Sequence, residues 1–162
     1  MSTVEVRIGR AEPGDAGEIL TVQRAAYVGE AQLYGDPFIP PLVESVEQVR
    51  KALADGGTVF KAALDGRIIG VVRARFSDRT CLVGRLAVAP DQQGRGVERL
   101  LLDTLEADVA GRATSCVLFT GHLSEANLKL YRGLGYSETH RERVAAHLTF
   151  VHMRKHLEPA PA

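Results

Sequence analysis

Gln93-Gly94-Arg95-Gly96-Val97-Glu98-Arg99 sets two glycines, one on each side of Arg95, ahead of a second arginine where an apolar run ends and a helical pattern begins. A helix start carries four unpaired backbone N–H groups and about half a positive charge. Glycines clear side chains from such a start, so this order of residues can hold an anion. A Walker loop is excluded because Gly-Lys-Ser/Thr is absent, and the dinucleotide fingerprint because Arg99 stands where a third glycine is needed. A plain tight turn would use one glycine, not two accompanied by two arginines. Further along, Asn127 and Tyr131 lie four residues apart, one above the other on a helix face opened by Ser124. His122, just before that helix, is of the type that titrates near neutral pH and could serve as a base.

The elements around these residues read as follows. Residues 3–10 alternate Val4, Val6 and Ile8 with polar neighbours, the pattern of a half-buried strand. A helix from residue 15 carries Ile19, Val22, Ala26 and Leu33, with Pro13 near its first turn. Residues 27–41 mix glycine, proline and aromatic side chains and read as a shaped loop or substrate lid. In that loop Glu30 and Asp36 could bind a cationic substrate, with Tyr27, Tyr34 and Phe38 lining its pocket. Ser45 caps a helix over 45–55, stopped by Gly56-Gly57. Strands follow over 58–64 and 67–76, joined by the hairpin pair Asp65-Gly66, and then over 81–89. The helix after the glycine loop buries Val97, Leu100, Leu101, Leu105 and Val109. A strand over 115–120, a helix over 124–134 and strands over 136–144 and 147–155 complete the order, which fits a mixed α/β layer architecture around a central sheet.

Composition narrows the function classes. At 162 residues and 45% hydrophobic, the chain suits one compact domain over residues 1–157, with 158–162 as a flexible tail. Twenty basic and twenty acidic side chains cancel, so no overall field favours nucleic acid or an anionic membrane, and a charged ligand needs a local site. No apolar run approaches the roughly 18 residues of a membrane span and the N-terminus lacks a signal-peptide core, so a cytoplasmic protein is expected. Cys81 and Cys116, without CxxC spacing, read as two buried free thiols. His140, His147, His152 and His156 find no Cys or carboxylate to complete a ligand set, so no metal is expected.

The run LAVAPDQQGRGVERLLL resembles the cofactor loop of the GNAT N-acetyltransferase superfamily, whose signature is Gln/Arg-x-x-Gly-x-Gly/Ala, and SEANLKLYRGLGY is similar to that family's next helix. The resemblance covers nearly the whole chain. It implies a central mixed, largely antiparallel sheet of about seven strands flanked by about four helices, and acetyl-CoA as co-substrate. It implies that the backbone from Gln93 through Gly94, Arg95, Gly96, Val97 and Glu98 to Arg99 cradles the pyrophosphate, and that Leu86, Ala87 and Val88 bind the pantetheine arm. It makes Tyr131 the general acid for the departing thiolate, a phenol of pKa about 10 facing a thiol near 8.5. The sequence departs from the family at two places. Glu98 replaces the last Gly/Ala of the signature, and Ser124 stands where many relatives carry a cofactor-contacting Asn, a contact that Asn127 could take over. No carboxylate occurs over 82–88, where relatives place a Glu base. The implied activity is acetyl transfer to a primary amine of a small molecule or protein by direct attack in a ternary complex. The alternative is a non-catalytic, sensory CoA-binding domain. The expected partner is the amine acceptor alone, with neither nucleic acid nor membrane, and a homodimer is left open.

Overall fold

The computed structural model describes residues 5–158. Seven strands form one sheet: β1 (Arg7–Arg10), β2 (Thr58–Leu64), β3 (Arg67–Ser77), β4 (Thr80–Val88), β5 (Ser115–Gly121), β6 (Ser137–Ala145) and β7 (Leu148–His156). Their order across the sheet is β1-β2-β3-β4-β5-β7-β6, and every pairing is antiparallel except β4 with β5. Five helices flank it: α1 (Ala16–Tyr34), α2 (Pro40–Val43), α3 (Val46–Ala54), α4 (Val97–Val109) and α5 (Glu125–Gly133). The expected mixed, largely antiparallel sheet of seven strands is present. The helix beyond the expected four is α2, a single turn inside the segment read as a loop.

Strands β2 to β4 are buried on both faces, so adjacent residues serve opposite layers. Val59, Ile68, Val71 and Ala87 pack with Ile19, Val22 and Val49 of α1 and α3, while Phe60, Ile69, Val72 and Val88 pack with Leu101 and Leu105 of α4. This is why these strands read as continuous apolar runs. On α4 the buried set is Val97, Leu101, Leu102, Leu105 and Val109; Leu100, expected inside, is exposed and Leu102 takes its place. Cys81 and Cys116 are free, buried and directly opposite each other in the β4–β5 register. Residues 3–4 of the first predicted strand and 159–162 of the predicted tail lie outside the described residues. No helix among the described residues is long and apolar enough to cross a membrane.

The lid reading of residues 27–41 is corrected. Helix α1 continues through Tyr27, Gly29 and Glu30 to Tyr34 and ends at Gly35, whose φ of 63° and N–H bond to the Gln32 carbonyl make it the left-handed cap. Gly29 costs the helix about 1 kcal/mol relative to Ala. Side chains on the same two turns outweigh that cost by docking on β4 and on the β5–α5 connection.

One polar cluster ties α1 and α2 to the sheet. Gln23, fully buried, donates to the Pro41 carbonyl (2.8 Å) and to Glu44 Oε1 (3.0 Å). Arg73 of β3 grips both oxygens of Glu44, at 2.7 and 3.1 Å. Burial disfavours the Glu44 carboxylate, but the hydrogen bonds from Arg73 and Gln23 and the charges of Arg73 and Arg85 outweigh burial and hold its pKa at about 2. A folded-state pKa below the ordinary 4.5 means that this carboxylate stabilises the fold above that value and loses its contribution as the pH falls toward 2. Glu44→Gln is therefore expected to be less stable than wild type at pH 7, with the gap closing between pH 4.5 and 2; urea unfolding at several pH values measures it. A gap independent of pH would contradict the assignment.

Candidate functional site

The parallel pairing of β4 with β5 runs only from Thr80/Ser115 to Leu82/Val117. Beyond it the two strands part, and the opening lies at the centre of the sheet. Opposite Val72 of β3, β4 presents two residues, Arg85 and Leu86, because Gly84 pairs with Arg73 and Ala87 with Val71. This is a bulge, and Arg85 takes the extra place with φ of 51°. Ala89 N–H bonds the Ile69 carbonyl. By the alternation of an antiparallel ladder, Ala87 also turns its peptide groups to β3, while Leu86 and Val88 turn theirs to the opening. Of the three residues expected to offer backbone bonds, Leu86 and Val88 turn their N–H groups toward the opening and Ala87 turns its own toward β3. Their carbonyls are already engaged: Tyr27 Oη donates to Leu86 O (3.0 Å) and Gln93 Nε2 to Val88 O (3.0 Å). What remains for a ligand is the two N–H groups.

Gln93 thus fastens the glycine loop to β4. Gly94 and Gly96 have φ of 76° and 82°, conformations that cost an L-residue about 1–2 kcal/mol. Gly96 is the N-cap of α4, and no side chain caps it. The first backbone N–H to find an intrachain acceptor is that of Leu100, on Gly96 O at 3.1 Å. The N–H groups before it are the predicted anion cradle. Arg95 is exposed, and Arg99 pairs loosely with Asp103 at 3.9 Å. A groove of about 380 Å³ runs on from the cradle between α4 and α5, lined by Arg99, Ala126, Lys129, Leu130, Gly133 and Leu134.

Tyr131 on α5 is 7% exposed and packs edge-on against Tyr136. Among the described residues none is hydrogen-bonded to its hydroxyl. Burial pushes its pKa up, and the charges of Tyr27, Glu30 and Glu98 push the same way. Tyr27 is likewise raised, to about 12, by burial, against the lowering pull of Arg85.

Glu30 comes from α1 rather than from a lid. Ser124 Oγ donates to Glu30 Oε2 at 2.6 Å and Asn127 Nδ2 to Oε1 at 3.3 Å, with a second bond from Asn127 to Thr120 Oγ1 at 3.2 Å. Because a carboxylate only accepts, Ser124 Oγ must receive its other bond from Tyr34 Oη (2.7 Å), which in turn accepts from Leu123 N–H (3.0 Å). Tyr34 is buried, and it presses so closely on Gly121 that a Cβ there would lie 1.9 Å from its hydroxyl oxygen. Tyr34 is therefore packing, not pocket lining. The polar atoms of Ser124 and Asn127, expected at the cofactor, are engaged with α1. Asp36 and Phe38 do not join the group: Asp36 pairs with His147 on the β6–β7 turn (2.9 Å), and Phe38 is 76% exposed.

His122 is poorly placed as a base. Thr149 N–H donates to its Nδ1 at 3.1 Å, and the Thr149 carbonyl lies 3.3 Å from the same nitrogen, so Nδ1 is engaged with the β7 backbone. The other histidines are dispersed or paired: His140 stacks on His152 at 4.3 Å, and His152 bonds Glu142. Sequence reasoning missed Gln23, Glu44, Arg73 and Arg85. A polar residue on the buried face of α1 and an arginine inside the apolar run of β3 were the available signals.

A family model described as an acetyltransferase (GNAT) domain matches residues 25–157. The UPF0157 protein YqkA of Bacillus subtilis is 28% identical over 130 residues; the match covers 80% of this chain and 37% of YqkA, so the chain spans well under half of that curated relative. Among solved structures, the ribosomal-protein-S18-alanine N-acetyltransferase of Escherichia coli superposes with a TM-score of 0.80 at 18% identity, covering 97% of both chains. PaiA N-acetyltransferase of Thermoplasma acidophilum, in complex with coenzyme A, gives 0.77 at 15%, covering 94% of this chain and 99% of its own. YncA of Salmonella typhimurium, solved with acetyl-CoA, gives 0.77 at 18%, covering 98% and 97%. At these identities the superpositions establish the fold.

Proposed function

The chain belongs to the GNAT acetyltransferase family, and from that premise we propose that it transfers an acetyl group from acetyl-CoA to a primary amine of a small molecule or protein, by direct attack with both substrates bound. The observation that carries the reading is the β4–β5 opening, with outward N–H groups on Leu86 and Val88 and an α4 start that no side chain caps; Tyr131 of α5, whose hydroxyl has no hydrogen-bond partner among the described residues, supports it. These residues fit the cofactor. The loop of Gln93, Gly94, Arg95 and Gly96 and the first N–H groups of α4 at Val97, Glu98 and Arg99 would hold the pyrophosphate. Leu86 and Val88 would hold the pantetheine amides, and Ser124 and Asn127 shape the wall beside them through Glu30.

Bound acetyl-CoA would supply a thioester carbonyl as electrophile and a sulfur that leaves as thiolate. Each remaining role falls to a residue of this chain. An amine of pKa near 10 is about 99.9% protonated at pH 7, a penalty of about 4 kcal/mol, so a carboxylate facing the cleft helps by holding the ammonium and taking its proton. We assign this to Glu30 in place of His122, whose Nδ1 is engaged with the β7 backbone. Tyr131 would present its hydroxyl proton to the leaving sulfur, and the proton that Glu30 takes from the amine would balance it.

Thiol release from acetyl-CoA over a panel of amines, with the product weighed by mass spectrometry, tests the reading; amine-dependent release with an N-acetylated product supports it. Binding of acetyl-CoA without release on any amine would favour the sensory reading instead. Glu98 motivates that second reading, because it puts a carboxylate in the first turn of α4, beside the N–H groups that would hold the pyrophosphate. Glu98→Gln is expected to tighten acetyl-CoA binding about two- to fivefold, from a like-charge repulsion of roughly 0.3–1 kcal/mol. An unchanged Kd by calorimetry would show that the carboxylate costs the cofactor nothing.

A further inference from the structure

Arg85 is the one cation of the α1–α2–β3–β4 cluster that its neighbours leave unsatisfied. Arg73 takes both oxygens of Glu44, and Gln23 takes a further bond on Oε1. Arg24 bonds the Glu44 backbone carbonyl. Arg85 is left with Glu44 at 3.7 Å, beyond hydrogen-bond range, and its Nε is buried with no partner. A guanidinium carries five donors, and none of those on Arg85 makes a hydrogen bond among the described residues, so its outer N–H groups are available to an anion. Its side chain is 27% exposed, which leaves the far end open to a ligand.

The place of Arg85 ties it to the reaction. It occupies the β4 bulge immediately before Leu86, whose N–H faces the opening, and bulges of this kind re-aim a side chain. Tyr27, bonded to Leu86 O, feels both Arg85 and Glu30, and Tyr131 feels Tyr27 and Glu30. A small molecule beside Tyr27 meets the Glu30 carboxylate, one turn further along α1, and, beyond Leu86, an Arg85 guanidinium held only by its 3.7 Å ion pair with Glu44. Resting on the acetyl-transfer reading above, we infer that the acceptor is an α-amino acid or a close analogue, its amine held at Glu30 and its carboxylate bound by Arg85. Arg offers a planar fork that matches a carboxylate, which a lysine at this position would not.

The experiment compares L-alanine, L-leucine, L-phenylalanine and L-glutamate with their α-carboxamides in the thiol-release assay, on wild type, Arg85→Gln and Arg85→Asn. Asn is included because it tolerates positive φ. The amide's amine is the less basic, so a site with no carboxylate receptor favours the amide. The expected result is a kcat/KM for at least one amino acid about ten- to a hundredfold above its amide, falling to near unity in both variants. As a measurement that needs no variant, the N-acetyl amino acid should raise the wild-type thermal midpoint where its amide does not. Amides acetylated as well as acids, or a preference that survives in folded variants, would overturn the inference and leave acetyl transfer intact. No release with any acid, amide or plain amine would overturn both.

Discussion

Replacing Tyr131 by Phe is expected to lower kcat about a hundredfold while leaving acetyl-CoA affinity nearly unchanged. The hydroxyl has no intrachain hydrogen bond among the described residues, and the ring keeps its packing against Tyr136, so the substitution removes a proton donor and little else. General acids typically contribute 10²–10⁴-fold, and the environment of Tyr131 points to the lower end. Burial, helped by the charges of Tyr27, Glu30 and Glu98, holds its pKa above the ordinary 10, whereas a thiol lies near 8.5. Complete transfer to a thiolate is then uphill. The effect comes from a strong hydrogen bond to sulfur as charge develops, with the proton following late. The same shift keeps Tyr131 protonated throughout the neutral range, so its ionisation should produce no basic limb in the pH profile below pH 10. Steady-state kinetics on the best amine, with calorimetry for acetyl-CoA, separate the two quantities. An unchanged kcat, or a parallel loss of affinity, would remove the assignment.

The second large effect is expected at Gly96. Its φ of 82° places it in the left-handed region at the N-cap of α4, and a Cβ built there meets nothing within 4 Å. Gly96→Val therefore clashes with no part of the protein. It incurs the backbone cost, about 1–2 kcal/mol or more for a β-branched residue, and sets a side chain at the approach to the α4 N–H groups. Acetyl-CoA affinity should fall tenfold or more. Gly35→Val is the control, since Gly35 has φ of 63° and an equally open site at the end of α1. Both variants should lose comparable stability in urea unfolding, and only Gly96→Val should lose affinity. Equal affinity losses would mean that α4 is reached through general destabilisation.

The contrast between these two glycines also marks what could be read in advance. The run from β4 through the glycine loop into α4 was legible because its signals are local: an apolar strand, glycines at positive φ and a 3.6-residue period follow one another without a gap. The partners of Glu30, named only as a carboxylate for a cationic substrate, were not. Glu30 bonds Ser124 and Asn127, 94 and 97 residues away, and nothing near it in the chain announces those partners. Residues 27–41 read as a loop, yet the stop of α1 was Gly35, because tertiary bonds from Tyr27, Glu30 and Tyr34 carry the helix past Gly29. His122 was singled out for its side-chain type, but its Nδ1 is engaged with the β7 backbone. Arg85 went unnoticed because an isolated arginine in a strand reads as solvated. Its significance appears only once Arg73 and Gln23 are seen to exhaust Glu44.

The central claim is that the opening between β4 and β5, with the start of α4, is a coenzyme A site. Calorimetric titration of the full chain with acetyl-CoA tests it most directly. The account predicts saturable heat with one molecule bound per chain. No heat, together with no shift in the thermal midpoint at saturating acetyl-CoA, would contradict it.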